Sequence, residues 1–237
     1  MGSFAHAYRE VVNRPLQFAK TMVYFLIMAA MSVLAPLGVV GIFSLLTSYS
    51  SLGSSMISMA GIAIYAVVFI LLFSGSSGAL VKAIDANKGG RGMGFDEMVE
   101  YALGNCFKLS MITVIELGMI AFFAAIIFIT LYLFNIDLTR RLYLGLGFVV
   151  LSIPTLLIKY LFSLAMVSYV KSGGVLRSIS KSFRITILRA VNYIPVCVIA
   201  CIIMATLAIP LINIVTFFVL FPMAILALTK EYEKLLL

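Results

Sequence analysis

Charge is scarce in this chain. Only 11% of its 237 residues are Asp, Glu, Lys or Arg, while 63% are hydrophobic and the mean hydropathy is +1.18. A soluble domain keeps about 25% of its residues charged to solvate its surface. A globule in water is therefore excluded, and lipid must act as part of the solvent. Histidine is nearly missing too. The single one, His6, lies in the N-terminal segment, too far in sequence to join Cys197 and Cys201 in a metal centre. That pair, four residues apart, offers two ligands where a metal needs more, so small-residue packing is their expected role. Cys106 makes the cysteine count odd, and all three lie within or beside apolar runs. No disulfide framework follows.

Other absences argue against catalysis. The serines of the Thr47–Ser55 loop have no His or Lys nearby, and a nucleophilic serine needs an adjacent base. No two carboxylates share a depth within the apolar runs, which removes the usual acid–base arrangement. The stretches around Gly89–Gly90 and Gly173–Gly174 match neither a P-loop nor a dinucleotide fingerprint. They read as sharp turns, because glycine reaches backbone angles other residues avoid. The sequence thus points to a protein that is not an enzyme and that requires neither cofactor nor metal.

What charge there is has one dominant sign, +8 overall. The basic residues stand in short clusters between apolar runs, with no continuous basic face and no DNA- or RNA-binding motif. Nucleic acid is not an expected partner. Clusters at the ends of apolar runs are what the positive-inside rule produces. Six such runs can each cover the roughly 20 residues of a membrane-crossing helix: Thr21–Leu46, Met56–Val81, Leu109–Phe134, Leu142–Val170, Ala190–Ile209 and Leu211–Thr229. Their continuity favours helices over a barrel. The last two are separated on an argument of length. Between Arg189 and Lys230 stand 40 uncharged residues, about 60 Å as one helix and twice the hydrocarbon thickness. Pro210, with Asn213 behind it, is the natural place to turn. The first run is too long for a signal-peptide core and has no obvious cleavage site, so it reads as a retained span. The Met-Gly-Ser start is not a myristoylation motif, since position six is His6.

Fourteen Lys and Arg residues then fall on one side and only Arg140 and Arg141 on the other. This bias places both termini in the cytoplasm and predicts a multi-pass protein of the cell membrane.

The chain also reads as one hairpin unit written three times, over residues 1–90, 91–174 and 175–237 of a single membrane domain. The second span of each unit carries Phe and, nine residues on, Lys: Phe73 and Lys82, Phe162 and Lys171, Phe221 and Lys230. Each unit opens on an amphipathic stretch. In the first, Phe4, Tyr8, Val11 and Val12 share a helical face, and Pro15 separates them from the span. In the second, Phe95, Met98, Val99, Ala102 and Cys106 oppose Asp96, Glu97 and Glu100. In the third, Val175, Ile179, Phe183 and Ile187 recur every fourth residue, with Arg177, Lys181 and Arg184 elsewhere. Such periodicity predicts interfacial helices, with apolar faces in lipid and basic groups near anionic headgroups. The expected fold is all-α: a polytopic transmembrane bundle of about six spans in three hairpins, with short amphipathic interfacial helices.

With "KSGGVLRSISKSFR" before a span, "KGGRGMGFDEMVEYA" and the hairpin layout over most of its length, the chain resembles a set of uncharacterised prokaryotic six-span proteins. Some are similar to the membrane domain fused to glycerophosphodiester phosphodiesterases. The resemblance implies a membrane-domain architecture. The fused enzymes' catalysis lies in a separate soluble domain, so no catalytic residue carries over.

Two ionisable groups stand inside apolar runs, Glu116 and Lys159. Each costs about 2.5–3.5 kcal/mol at the centre of a membrane helix. At about 1.5 Å per residue their depths differ by only a few ångströms, so an ion pair across the third and fourth spans is expected. Read structurally, it clips one span to the other. Read functionally, it is a proton or substrate site. Ser74 and Gly78 have the small-xxx-small spacing that lets helices approach closely. Three functions remain: a non-enzymatic scaffold or accessory subunit with a membrane-protein partner, a small transporter or lipid-handling permease using Glu116 and Lys159, and, with less support, an amphipathic-helix sensor of membrane lipid resting on Val175–Ile187.

Overall fold

The computed structural model describes residues 2–49, 54–133, 152, 154–206 and 213–236. Helix makes up 94% of the structure and no strand occurs among the described residues. The elements are α1 (Gly2–Asn13), α2 (Pro15–Tyr49), α3 (Ser54–Lys88), α4 (Phe95–Leu133), α5 (residues 154–162), α6 (Ala165–Ser172), α7 (Val175–Leu188) and α8 (Ala190–Thr206). The short α9 (Asn213–Val215) runs through a π-helical turn, Thr216–Leu220, into α10 (Phe221–Leu236).

Among the described residues, three helices are long and apolar enough to cross a bilayer, over Pro15–Ile42, Met59–Lys88 and Phe95–Thr130. A fourth candidate is a bent pair, Val175–Leu188 with Tyr193–Ala200, turned by 110°. The predicted span Leu142–Val170 falls partly outside the described residues, as do the Pro210 turn, part of the Thr47–Ser55 loop, Arg140 and Arg141.

Each junction has a local cause. Proline starts α2, where its missing N–H would lack a partner in any case. Pro36 lies inside the same helix without ending it, a lapse that membrane helices tolerate. At the end of α3, Arg14 Nη1 donates to the carbonyls of Asn87 (2.7 Å) and Lys88 (3.0 Å), satisfying acceptors that a helix terminus leaves open. Gly90, Gly173 and Gly174 have φ of 79°, 62° and 81°, so both glycine pairs form the turns expected of them. The Gly94 N–H donates to Glu97 Oε2 at 3.2 Å, capping the start of α4.

Close packing gathers toward one end of the bundle. Phe18, Met22 and Phe25 of α2, Leu80 and Ile84 of α3, Leu164 just before α6 and Val167 within it, and Leu226 and Tyr232 of α10 share one buried cluster. A second joins Leu109 and Ile112 of α4 to Ile158, Phe162, Ala165 and Tyr169. Toward the other end, Leu37, Ile42, Met59, Ile62, Phe122 and Phe128 are exposed, as suits side chains facing lipid.

The three amphipathic stretches do not behave alike, and in each part of the apolar face packs on protein. The second is not a separate interfacial helix. Phe95–Cys106 continues without a break into the long α4, and Met98 and Ala102 are buried against Met28, Ala79 and Ala83. No proline intervenes between Cys106 and Leu109 to stop the helix. The first, α1, buries Ser3, Ala7 and Val11 against α10, leaving Tyr8 and Val12 exposed. The third, α7, turns Val175, Ile179 and Phe183 onto protein and leaves only Ile187 of its apolar series outside. Its innermost residues are Ser178, Ser182 and Thr186. Small hydroxyl side chains bond locally and let backbones come close, so they seat a helix as well as a leucine stripe does.

Candidate functional site

The structure brings Glu116 and Lys159 together. Lys159 Nζ lies 2.6 Å from Glu116 Oε1, although 43 positions separate the two in sequence. Glu116 is the only charged residue between Lys108 and Asp137, and Lys159 the only one between Arg141 and Lys171. The two partners are unequally covered: the glutamate side chain is 14% exposed and the lysine 59%. The carboxylate is held within the protein, whereas the ammonium reaches its surface.

Lys159 also borders a groove of about 550 Å³, lined by Leu156, Tyr160, Ile194, Cys197, Val198 and Leu228 among others. Its polar groups form a chain at a helix break. After residue 162 the helix is interrupted by a turn at Ser163 and Leu164 before α6 begins. Ser163 Oγ lies 2.7 Å from the Tyr193 hydroxyl and donates to the Tyr160 carbonyl at 2.5 Å. The Tyr160 hydroxyl donates to the Thr186 carbonyl (2.9 Å), and Ser182 Oγ donates to that of Leu161 (2.5 Å). The break is thus tied to α7 and α8. Cys197 borders the groove, its Sγ 4.0 Å from Ser163 Oγ; the Cys201 side chain lies outside the described residues. Among the described residues no group of three or more His, Cys, Asp or Glu could hold a metal ion.

At the packed end of the bundle lies a second ionic assembly that the sequence did not single out. Lys171 Nζ contacts Asp85 Oδ2 at 2.6 Å and Glu233 Oε1 at 2.9 Å, and Lys88 Nζ contacts Glu233 Oε2 at 2.6 Å. One chain of four charges thus ties α3, α6 and α10. Burial alone would lower the pKa of Lys171, but the hydrogen bonds it donates to Asp85 and Glu233 outweigh burial and raise the value. Burial would raise that of Glu233, and the two lysines instead hold it below the usual carboxylate range. Nearby, the Ser168 and Tyr232 hydroxyls are 2.9 Å apart. Ser3 donates to Glu231 and accepts from Lys234 Nζ at 2.7 Å, joining α1 to α10. Lys82 instead rests 4.1 Å above the Tyr101 ring, a cation–π contact.

Arg177 and Arg184 lie exposed on α7 and Lys181 is half-buried beside them. They are not part of the Glu116–Lys159 site. Ser74 and Gly78 do pack helices: Ser74 Oγ is 2.9 Å from Thr113 Oγ1, and Gly78 faces Leu109. A Cβ at neighbouring Gly75 would stand 2.7 Å from the Ala102 carbonyl oxygen, so α3 and α4 require glycine there. Comparison with known proteins found no matching family model, no matching curated protein and no matching solved structure.

Proposed function

We propose that the chain is a multi-pass protein of the cell membrane that acts without catalysis, as an accessory subunit or scaffold holding a membrane-protein partner. The observation that carries this reading is the exposure of Lys159. Hydrocarbon cannot solvate an ammonium group, and charged residues within membrane helices almost always face protein or water. Here a lysine in an otherwise uncharged run is 59% exposed beside an apolar groove. A partner helix seated in that groove would cover both the stem and the charge.

Six spans in three hairpins with cytoplasmic termini remain the architecture best suited to the charge distribution. The four-charge assembly supports the threefold repeat. Asp85 and Glu233 each stand three residues after the unit-ending lysines Lys82 and Lys230, and both bind the third such lysine, Lys171. Three repeated units whose second helices met at equivalent ends would produce this arrangement.

One observation favours a second reading, a lipid-handling permease: the helix break at Ser163 beside Lys159. Transporters build their sites at discontinuous helices. A photo-crosslinker placed at Leu156 or Val198, followed by mass analysis of gently extracted protein, separates the two. A discrete protein adduct, lost in Lys159→Met, supports the accessory role. Adducts with lipid alone remove it in favour of the permease.

A further inference from the structure

We propose that the outer face of α7 is a preformed binding strip for the phosphate groups of anionic phospholipids. The inference starts from what the fold does with this helix. Ser178, Ser182, Ile185 and Thr186 are buried, and Val175, Ile179 and Phe183 pack against the second core cluster. These residues cover one side of the helical circumference. The opposite side is left with Arg177, Lys181 and Arg184, spaced four and three residues apart and so aligned along the axis. Gly173 and Gly174, both at positive φ, set the entry to the helix, and Arg189 follows at its end, also exposed.

No carboxylate answers these charges. Asp and Glu are absent from the whole sequence between Asp137 and Glu231. Among the described residues, none of Arg177, Lys181, Arg184 and Arg189 forms a salt bridge. The strip is also edged with apolar side chains: Leu176, Ile187 and Leu188 are 77%, 63% and 68% exposed. A soluble acidic partner would need no such edging, whereas a bilayer surface offers acyl chains beneath phosphates and matches both features. Because the other face is already seated on protein, the cations are held in place before lipid arrives. The helix is not folded by the membrane.

The test uses intact protein in bilayers of equal parts phosphatidylglycerol and phosphatidylcholine, released for native mass spectrometry. Retention of phosphatidylglycerol in preference to phosphatidylcholine, falling as salt is raised, is expected. Neutralising any one of Arg177, Lys181 or Arg184 to Gln should weaken retention by about fivefold. The triple variant should abolish the preference, while Arg177→Lys with Arg184→Lys retains it. If the triple variant does not fold, the single exposed variants Arg177→Gln and Arg184→Gln decide the matter. Equal retention in wild type and variants would falsify the strip. So would displacement of the lipid by inorganic phosphate at matched concentration, which would make the ligand a soluble anion. Helix content that rises on adding anionic lipid would overturn preformation.

Discussion

The Glu116–Lys159 pair and the assembly of Asp85, Lys171, Glu233 and Lys88 use the same chemistry on different plans. In the assembly every charge has at least one partner, and the central lysine and Glu233 have two each. All four side chains are partly exposed, from 23% to 35%. In the pair each charge has a single partner, and one of the two sits in the protein while the other reaches its surface. The difference concerns what happens when one member is lost. Within the assembly the remaining charges can re-pair or turn to water. A carboxylate only 14% exposed has little of either recourse once its lysine is gone, and removing one partner of a largely covered pair costs more than forming the pair contributes.

The largest effect should therefore come from Lys159→Met. It strands Glu116 and should lower stability by about 3–5 kcal/mol, measured by denaturant titration in detergent. Glu116→Gln should cost less, and the two substitutions together should restore most of the loss if the pair is a clip. Singles that fold normally but lose partner crosslinking, with no rescue in the double variant, would instead assign the pair to function.

Next in size is Lys171→Met, expected to cost about 1–2 kcal/mol, because Asp85 loses its partner but Glu233 keeps Lys88. A loss as large as that for Lys159 would erase the contrast between the two sites. The smallest effect is on pH dependence. Glu233 has a depressed pKa, so its contribution is present above the unfolded carboxylate value of about 4.3 and is lost as pH falls through the folded value. Lys171 has a raised pKa, so its contribution is present below about 10.4 and is lost as pH rises through the folded value. Thermal unfolding followed from neutral pH downward should show an acid limb of about 1 kcal/mol or less, after solvent screening. Glu233→Gln should flatten it. An unchanged limb would shift its cause to other carboxylates.

Legibility in the sequence followed the same division. Helical class and membrane character were readable because 63% hydrophobic residues in continuous runs leave no other solvent and no other backbone geometry. Glu116 and Lys159 were readable as a pair because each is alone in its run, so depth by itself identifies the partner. The four-charge assembly was not. Asp85, Lys88, Lys171 and Glu233 sit at helix ends, where solvated charges are ordinary, and only the packing of three distant helices brings them together. Amphipathic periodicity revealed helices but not their neighbours. The same pattern produced a docked helix in α1, the opening turns of a long helix in α4, and a serine-seated helix in α7. Pro15 and Gly173–Gly174 separated two of these, and the want of any such break merged the third.

The lacing of α1 to α10 has a consequence for how the molecule comes to be made. Ser3 and Glu231 are 228 residues apart, and Ala7 and Val11 are covered mainly by a helix that leaves the ribosome last among those described. Until α10 is made, α1 must wait with its inner face uncovered. Contacts this distant close late, and a face left open so long is a site for mispairing or for an assembly factor to hold. Closure of the packed end must then wait for α10, whose arrival covers α1 and lets Glu233 engage the lysines of α3 and α6.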